Sequence, residues 1–306
     1  MKSTENNCEI DALVSLMDEP NDDIYTEVRK KIISHGTQAI PVLEEAWLHT
    51  FNAPHSQRLE NTIEEIKFHK TVGDIFDWLD NPMTHPTEFI HIISAYLNEH
   101  YQTETQQKWI NMIYRDTWLE LNESLTALEK VNIMNHVFYK VYKLNNFLPD
   151  QNQFEGFFFD FLQHNKKGNA LLLGLLYLTI AQKLKLPLSG INLPNQFVLA
   201  YLDREEPAVN INKKDLKQED ILFYINPSNL GALFTQKEIT GYLKHIGVER
   251  KKEHYLPCNR KELCIRFLEE IYDGLIAENR STKAQYIQSL IQILNQTPDE
   301  TGSSLS

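Results

Sequence analysis

The chain has 306 residues, with 42 acidic and 30 basic side chains and a formal net charge of −12. Because domains usually contain ~100–200 residues, this length predicts about two domains. The acidic excess argues against a large nucleic-acid-binding surface, which needs clustered Lys and Arg. We therefore expect no nucleic-acid partner.

The apolar segments favour a cytoplasmic protein with no membrane partner. Residues 1–7 lack the apolar core of a secretory signal. The most apolar run, residues 170–181, is shorter than the ~20 residues that a membrane-spanning helix requires. Three scattered cysteines, Cys8, Cys258 and Cys264, predict no disulfide framework.

The N-terminal region, residues 1–80, is predicted to form paired amphipathic helices. One helix spans residues 12–18, and Asp22 and Asp23 precede a second whose apolar face contains Val28 and Ile32. This pattern resembles one HEAT-type unit. Because stacked repeats generally need three or more units, we predict a HEAT-like helical cap rather than a solenoid.

Residues 81–150 also read as helices. The pair Thr126 and Glu129 has capping-box spacing ahead of the apolar positions Val131 and Met134, which predicts a helix start at this point. We expect this segment to be the helical part of a larger domain.

Residues 151–250 mix helix and strand signals. An aromatic-rich stretch, 154–161, precedes a very apolar helix, 169–185, which Pro187 ends. Strands are predicted at 188–192, 197–202 and 221–225, with a polar loop at 203–220 and a helix starting at Thr235.

The C-terminal region, residues 251–296, is predicted to be a helical hairpin. Asn259 and Glu262 cap its first helix, and Ser281 starts its second. The tail, 297–306, is rich in Ser and Gly and is predicted to be disordered. The fold class is thus α+β and mostly α-helical.

Four blocks occur in the order found in the transglutaminase-like, papain-fold superfamily. They span residues 125–131, 166–177, 186–201 and 223–229, and the helical hairpin follows them. Residues 124–294 most resemble the bacterial Sir-B-one-type branch, which carries a tetratricopeptide-like hairpin. The resemblance implies a central helix packed with a small antiparallel sheet, flanked by the N-terminal helices and the C-terminal hairpin.

Active members of this superfamily use a cysteine at the start of the central helix, a histidine on a following strand and an aspartate on the next. The matching positions here are Ala170, Gln196 and Asn226. A methyl group cannot attack a carbonyl, and amides do not titrate near neutral pH. The resemblance therefore implies a degenerate triad and no catalysis, with the two amides hydrogen-bonded to each other and to the backbone.

We favour a protein- or peptide-binding module or scaffold as the function. The possible cleft-lining residues are Asn169, Tyr177, Asn195, Tyr201 and Asn229. One alternative is a hydrolase or amide-transfer enzyme with non-thiol chemistry in the same cleft, and another is a structural protein without a specific ligand.

The sequence predicts no cofactor and no metal site. The spacing of His254, Cys258 and Cys264 fits none of the usual zinc patterns and lacks a fourth ligand. The sequence leaves the identity of the partner and the oligomeric state open.

Overall fold

The computed structural model describes residues 2–147, 154–204 and 217–297. Its internal contacts divide the chain into two compact units, one up to Asp77 and one from Trp78 onward. The predicted tail and most of the predicted loop at 203–220 lie outside the described residues.

The first unit is helical, as the periodicity predicts. Helix α1 spans Lys2–Ser15, α2 spans Asp22–Ser34, α3 spans Ile40–His49, and α4 begins in this unit and spans Ala53–Asp80. The apolar stripes of these helices share one core, which includes Ile10, Met17, Ile32, Leu43 and Leu59. The HEAT-like assignment of this unit stays a prediction.

Arg58 of α4 holds the loop between α1 and α2. Its guanidinium donates to the carbonyl of Glu19 at 2.8 Å and lies 4.1 Å from the centre of the Tyr25 ring. It also pairs with Asp22 at 3.2 Å. One half-buried side chain therefore fixes the start of α2 against α4.

The second unit begins with further helices. Helix α5 spans Pro86–Leu97, α6 spans Thr103–Glu120 and α7 spans Ala127–Asn135. The predicted capping box is confirmed, because Thr126 accepts from Glu129 N–H and Glu129 accepts from Thr126 N–H. Helix α7 continues into a π-helical turn, His136–Val141, which the sequence did not indicate.

The central helix is enclosed on all sides. Strands β1 (Asn145–Asn146) and β2 (Lys167–Gly168) form a short parallel pair, and α8 spans Phe159–Asn165. Helix α9 follows at once as Ala170–Lys183, and its residues from Leu171 to Ala181 are buried. A helix that is apolar all round has no solvent face to present, which explains this position.

A four-stranded antiparallel sheet packs against α9. Its strands are β3 (Leu188–Leu193), β4 (Gln196–Leu202), β5 (Ile221–Asn226) and β6 (Ala232–Phe234), in chain order. Pro194 and Asn195 close the β3–β4 hairpin, and Asn195 has a left-handed φ of 60°. The sequence predicted β3, β4 and β5 but not β6.

Three helices complete the unit. Helix α10 spans Gln236–His245, α11 spans Arg260–Ala277 and α12 spans Ser281–Gln296. The predicted cap of α11 is confirmed, since Asn259 and Glu262 form a capping box. The fold is thus α+β and mostly helical, as predicted, whereas the tetratricopeptide-like nature of the α11–α12 hairpin stays a prediction. No helix in the described part of the chain has the length and apolarity needed to cross a bilayer.

Candidate functional site at the start of the central helix

Asn169 sets the start of α9. Its side-chain oxygen accepts from the N–H groups of Leu171 at 2.7 Å and Leu172 at 3.4 Å, and its own N–H donates to the carbonyl of Gly156 at 2.8 Å. Ala170 is therefore the first helical residue, where unpaired N–H groups and the helix dipole stabilise a negative charge. The position suits a thiolate, but its side chain is a half-buried methyl group.

Close packing at Gly174 joins the elements that carry the three matched positions. A Cβ built on Gly174 would lie 2.4 Å from the Phe197 ring and 3.6 Å from Pro227. Phe197 and Pro227 directly follow Gln196 and Asn226, and Gly174 lies one helical turn after Ala170. The start of α9, the start of β4 and the end of β5 are therefore neighbours.

Gln196 and Asn226 lie on the sheet face that turns away from α9. Phe197 packs on α9, whereas Val198 and Ala200 belong to the cluster that contains Ile239 of α10. Because strand side chains alternate, Gln196 shares the face of Val198. Leu199 pairs with Ile225, so the same register places Asn226 opposite Val198. The two amides are thus diagonal neighbours on a face that Ala170 does not share.

The expected hydrogen bond between the two amides is absent. The Asn226 oxygen instead accepts from Ser228, from its N–H at 3.1 Å and its hydroxyl at 2.7 Å. It thereby caps the short 3₁₀ turn Pro227–Asn229. Within the described residues, the half-buried Gln196 side chain makes no hydrogen bond. The predicted bond between the two amides is therefore wrong, whereas the predicted bond to the backbone is present at Asn226.

The five predicted cleft residues have different surroundings. Asn195 is exposed at the hairpin, and Asn229 is exposed in the 3₁₀ turn. Tyr201 is 5 % exposed and packs on Phe223 with ring centres 5.2 Å apart. Asn169 is buried as the α9 cap.

The prediction that Tyr177 lines a cleft is wrong. Its side chain is fully buried in the all-round apolar helix, and its hydroxyl donates to the Asn135 side chain at 3.1 Å. Burial raises the pKa of this phenol well above its ordinary value, so it stays protonated. Tyr177 is therefore a core residue that ties α9 to α7.

An open cleft of about 500 Å³ lies between the β3–β4 hairpin and α11. Its lining is mostly polar and acidic. The residues are Asn192, Leu193, Pro194, Asn195, Glu253, His254, Cys258, Glu262, Arg266, Glu269, Glu270 and Asp273. We call this the α11 cleft. Of the five predicted lining residues, it contains only Asn195.

Arg266 bonds to β3 inside the α11 cleft. Its guanidinium donates to the Asn192 side chain and, at 2.8 Å, to the Leu193 carbonyl. Its Nε lies 3.5 Å from a carboxylate oxygen of Glu270. These contacts join α11 to β3, and Arg266 is the one arginine beside five carboxylates in the lining of the cleft.

Glu270 brings the cleft close to the start of α9, since the Asn169 side chain is one of the groups that lower the pKa of its carboxyl. Burial raises the pKa of Glu270 above its ordinary value, and Arg266 opposes this only in part. No local pattern in the sequence indicates this proximity. The polar face of α11 is typical of a solvated helix, and Asn169 lies about a hundred residues before Glu270 in the chain.

A buried helix that begins at the edge of a small antiparallel sheet defines a helix-on-sheet α+β domain. Residues 104–269, more than half of the chain, match the family model described as the transglutaminase-like superfamily. The chain therefore belongs to the transglutaminase-like superfamily, as the motifs predicted. No curated protein and no solved structure matches the chain.

Proposed function

We propose that this chain is a catalytically inactive transglutaminase-like protein that binds a cationic segment of a partner protein in the α11 cleft. The observation that carries the proposal is the combination of Ala170 at the first position of α9 with an open acidic cleft that reaches the same helix start through Glu270. The fold supplies the position for a nucleophile, and the sequence places a methyl group there.

The absence of thiol catalysis at α9 follows from the three side chains. A thiol mechanism needs a thiolate and a base within hydrogen-bond reach of it. Ala170 supplies no sulfur, Gln196 cannot take a proton near neutral pH, and Asn226 is committed to Ser228. In such a triad, loss of the nucleophile alone costs about as much as loss of every member.

Cys258 is the cysteine that lines the α11 cleft. Its thiol donates to the Gly190 carbonyl at 3.1 Å, and the same carbonyl accepts the Cys258 N–H at 2.8 Å. Both contacts anchor the chain before α11 to β3. We assign Cys258 a structural role, which a Cys258→Ser variant tests directly.

The charge of the α11 cleft favours a cationic occupant. Five carboxylates line it, and its one arginine is already engaged by Asn192, Leu193 and Glu270. Glu253, Glu269 and Asp273 are exposed to solvent. A concave surface of one charge raises the local concentration of an oppositely charged partner and speeds its association.

Fluorescence anisotropy with a labelled Lys-Gly repeat peptide tests this proposal, with a Glu-Gly repeat as the anionic control. We expect the full chain to bind the cationic peptide, with affinity falling as salt rises. The variant Glu253→Gln/Glu269→Gln/Asp273→Asn should lose about tenfold or more in affinity, or roughly 1.4 kcal/mol. A matched variant, Glu104→Gln/Glu120→Gln/Glu123→Gln, changes three exposed carboxylates outside the cleft and should bind like wild type.

Two outcomes contradict the proposal. Equal losses in both triple variants would show that the peptide senses net charge and not the cleft. Amine incorporation into a glutamine-bearing protein, or peptide hydrolysis, would show that the chain is an enzyme. The Cys258→Ser variant then tells whether that turnover uses the remaining cleft thiol.

A further inference from the structure

A second cavity of about 210 Å³ lies between α5, α6 and the end of α9. Its lining is polar apart from one isoleucine. The residues are Thr87, Glu88, His91, Gln107, Ile110, Asn111 and Lys183. We call this the His91 cavity. Glu88 and His91 precede the segment that matches the family model, so this cavity is not confined to that segment.

His91 carries an unpaired ring nitrogen. The residue is only 4 % exposed, and its Nε2 is buried with no hydrogen-bond partner. Its Nδ1 lies 2.7 Å from the Tyr101 hydroxyl, and its ring packs on Phe159. Burial lowers the pKa of His91 to about 4, so the ring is neutral at physiological pH. Buried polar atoms are nearly always paired, and an exception calls for a partner.

One hydrogen bond at Nδ1 connects His91 to Tyr101, and its direction depends on the tautomer of the ring. The Ser94 hydroxyl nearby donates to the Ile90 carbonyl at 2.6 Å. In the tautomer with the proton on Nδ1, the ring donates to the Tyr101 oxygen. Nε2 then keeps a free lone pair, which calls for a donor.

Opposite charges line the same cavity. Glu88 accepts the His85 N–H with one oxygen at 3.0 Å, and its other oxygen has no hydrogen bond within the described residues. Lys183 donates to the Asn111 side chain at 3.3 Å and keeps two further N–H groups. Glu88 and Lys183 act in opposite directions on the pKa of His85, which shows that both charges lie near this helix start.

We propose that the His91 cavity binds a small zwitterion of amino-acid size, with a primary ammonium group and a carboxylate. The ammonium donates to Nε2 of His91 and to the free oxygen of Glu88. The carboxylate accepts from Lys183 and from the side-chain amides of Gln107 and Asn111. A metal ion fits less well, since no group of three His, Cys, Asp or Glu side chains within the described residues could hold one. The Lys183 ammonium group also repels a cation.

Thermal unfolding of the full chain with each proteinogenic amino acid, in metal-free buffer, tests the proposal. A ligand that binds the native state at about ten times its Kd should raise Tm by about 3–6 °C in a unit of this size. Calorimetric titration of the best amino acid then gives its Kd. His91→Phe removes the acceptor and keeps a buried ring, and Lys183→Met removes the donor. Each should weaken binding about tenfold or more, whereas Lys185→Met, outside the cavity, should not.

The proposal is wrong if no amino acid raises Tm, or if binding survives both cavity variants. Binding of Zn²⁺ or Mn²⁺ that is lost in His91→Phe and not displaced by any amino acid would replace the zwitterion with a metal. Nitrogen NMR of the ligand-free chain adds a separate check. A proton on Nε2 of His91 would show the other tautomer, remove the need for a donor at this nitrogen and refute the proposal.

Discussion

The packing of Gly174 gives a sharp prediction because the chain supplies its own control. Gly174 and Gly241 both lie inside helices, α9 and α10, and neither has a positive φ. Replacing an unconstrained helical glycine with alanine reduces the entropy of the unfolded chain and favours the helix by about 0.5–1 kcal/mol. The space around the new methyl group then decides whether the variant is stabilised or destabilised overall.

The two positions differ completely in the space they offer. A Cβ on Gly241 meets nothing within 4 Å, whereas one on Gly174 lies 2.4 Å from Phe197. The Phe197 ring cannot retreat, because it also lies against Gly190, where a Cβ would stand 2.8 Å from it. Overpacking of this kind costs about 1–3 kcal/mol. We therefore expect Gly241→Ala to be stabilising and Gly174→Ala to be destabilised relative to it by about 1–3 kcal/mol.

Urea unfolding followed by circular dichroism measures both variants. A difference of 1 kcal/mol corresponds to roughly 2–4 °C in Tm for a unit of this size, so a thermal scan gives a second reading. The variant Gly174→Ala/Phe197→Leu should recover part of the loss, because the smaller side chain frees the contested space. Equal stabilisation by Gly174→Ala and Gly241→Ala would refute the contact between α9 and β4, and with it the argument that the start of α9 neighbours the start of β4.

Three further predictions concern ionisable side chains that are buried or half-buried. Arg260→Met should lower the free energy of unfolding in urea by about 2–4 kcal/mol, because the guanidinium donates to the Trp78 and Thr84 carbonyls and stacks on the Trp78 ring. The control Arg115→Met changes an exposed arginine and should lower it little. Equal losses in the two variants would contradict the role of Arg260. For His91, the depressed native pKa means that the unfolded chain binds more protons between pH 6.5 and about 4. Wild-type stability should therefore fall by up to about 3 kcal/mol as pH drops through that window, and His91→Phe should flatten the profile. For Glu270, the raised native pKa has the opposite sign, so its contribution to stability falls as pH rises above its ordinary value of 4.5. Glu270→Gln should lose that slope in a pH series of unfolding curves, and an unchanged slope would contradict the burial of Glu270.

Local signals in the sequence predicted most of the helices and their starts. The capping pairs at Thr126 and Asn259 lie within one turn of the residues they bond, so sequence spacing alone identifies them. The edge strand β6 escaped prediction because it has three residues and exists through its pairing with β5. The two-residue pair of β1 and β2 depends in the same way on a partner distant in sequence.

The site was harder to predict because its contacts are long-range. Arg266 reaches Asn192 across 74 positions of the chain, and no local pattern marks that pair. The apolar character of α9 explains why the prediction that Tyr177 lines a cleft was wrong. Helix α9 is apolar on every face, which is typical of a helix without a solvent-facing side, so a tyrosine in its middle belongs to the core.

The three positions that correspond to the catalytic triad, Ala170, Gln196 and Asn226, differ in the contacts they make. Asn226 caps a turn by accepting from Ser228, and an aspartate oxygen accepts the same bonds, so this position keeps its structural role without its charge. Ala170 fits a helix start that Asn169 already caps and needs no further partner. Gln196 has no hydrogen bond within the described residues and turns away from α9, so it preserves neither the reaction nor a polar network. The polar side chain that approaches the helix start is instead Glu270 on α11. This arrangement favours the α11 cleft over the degenerate triad as the place of the proposed binding role.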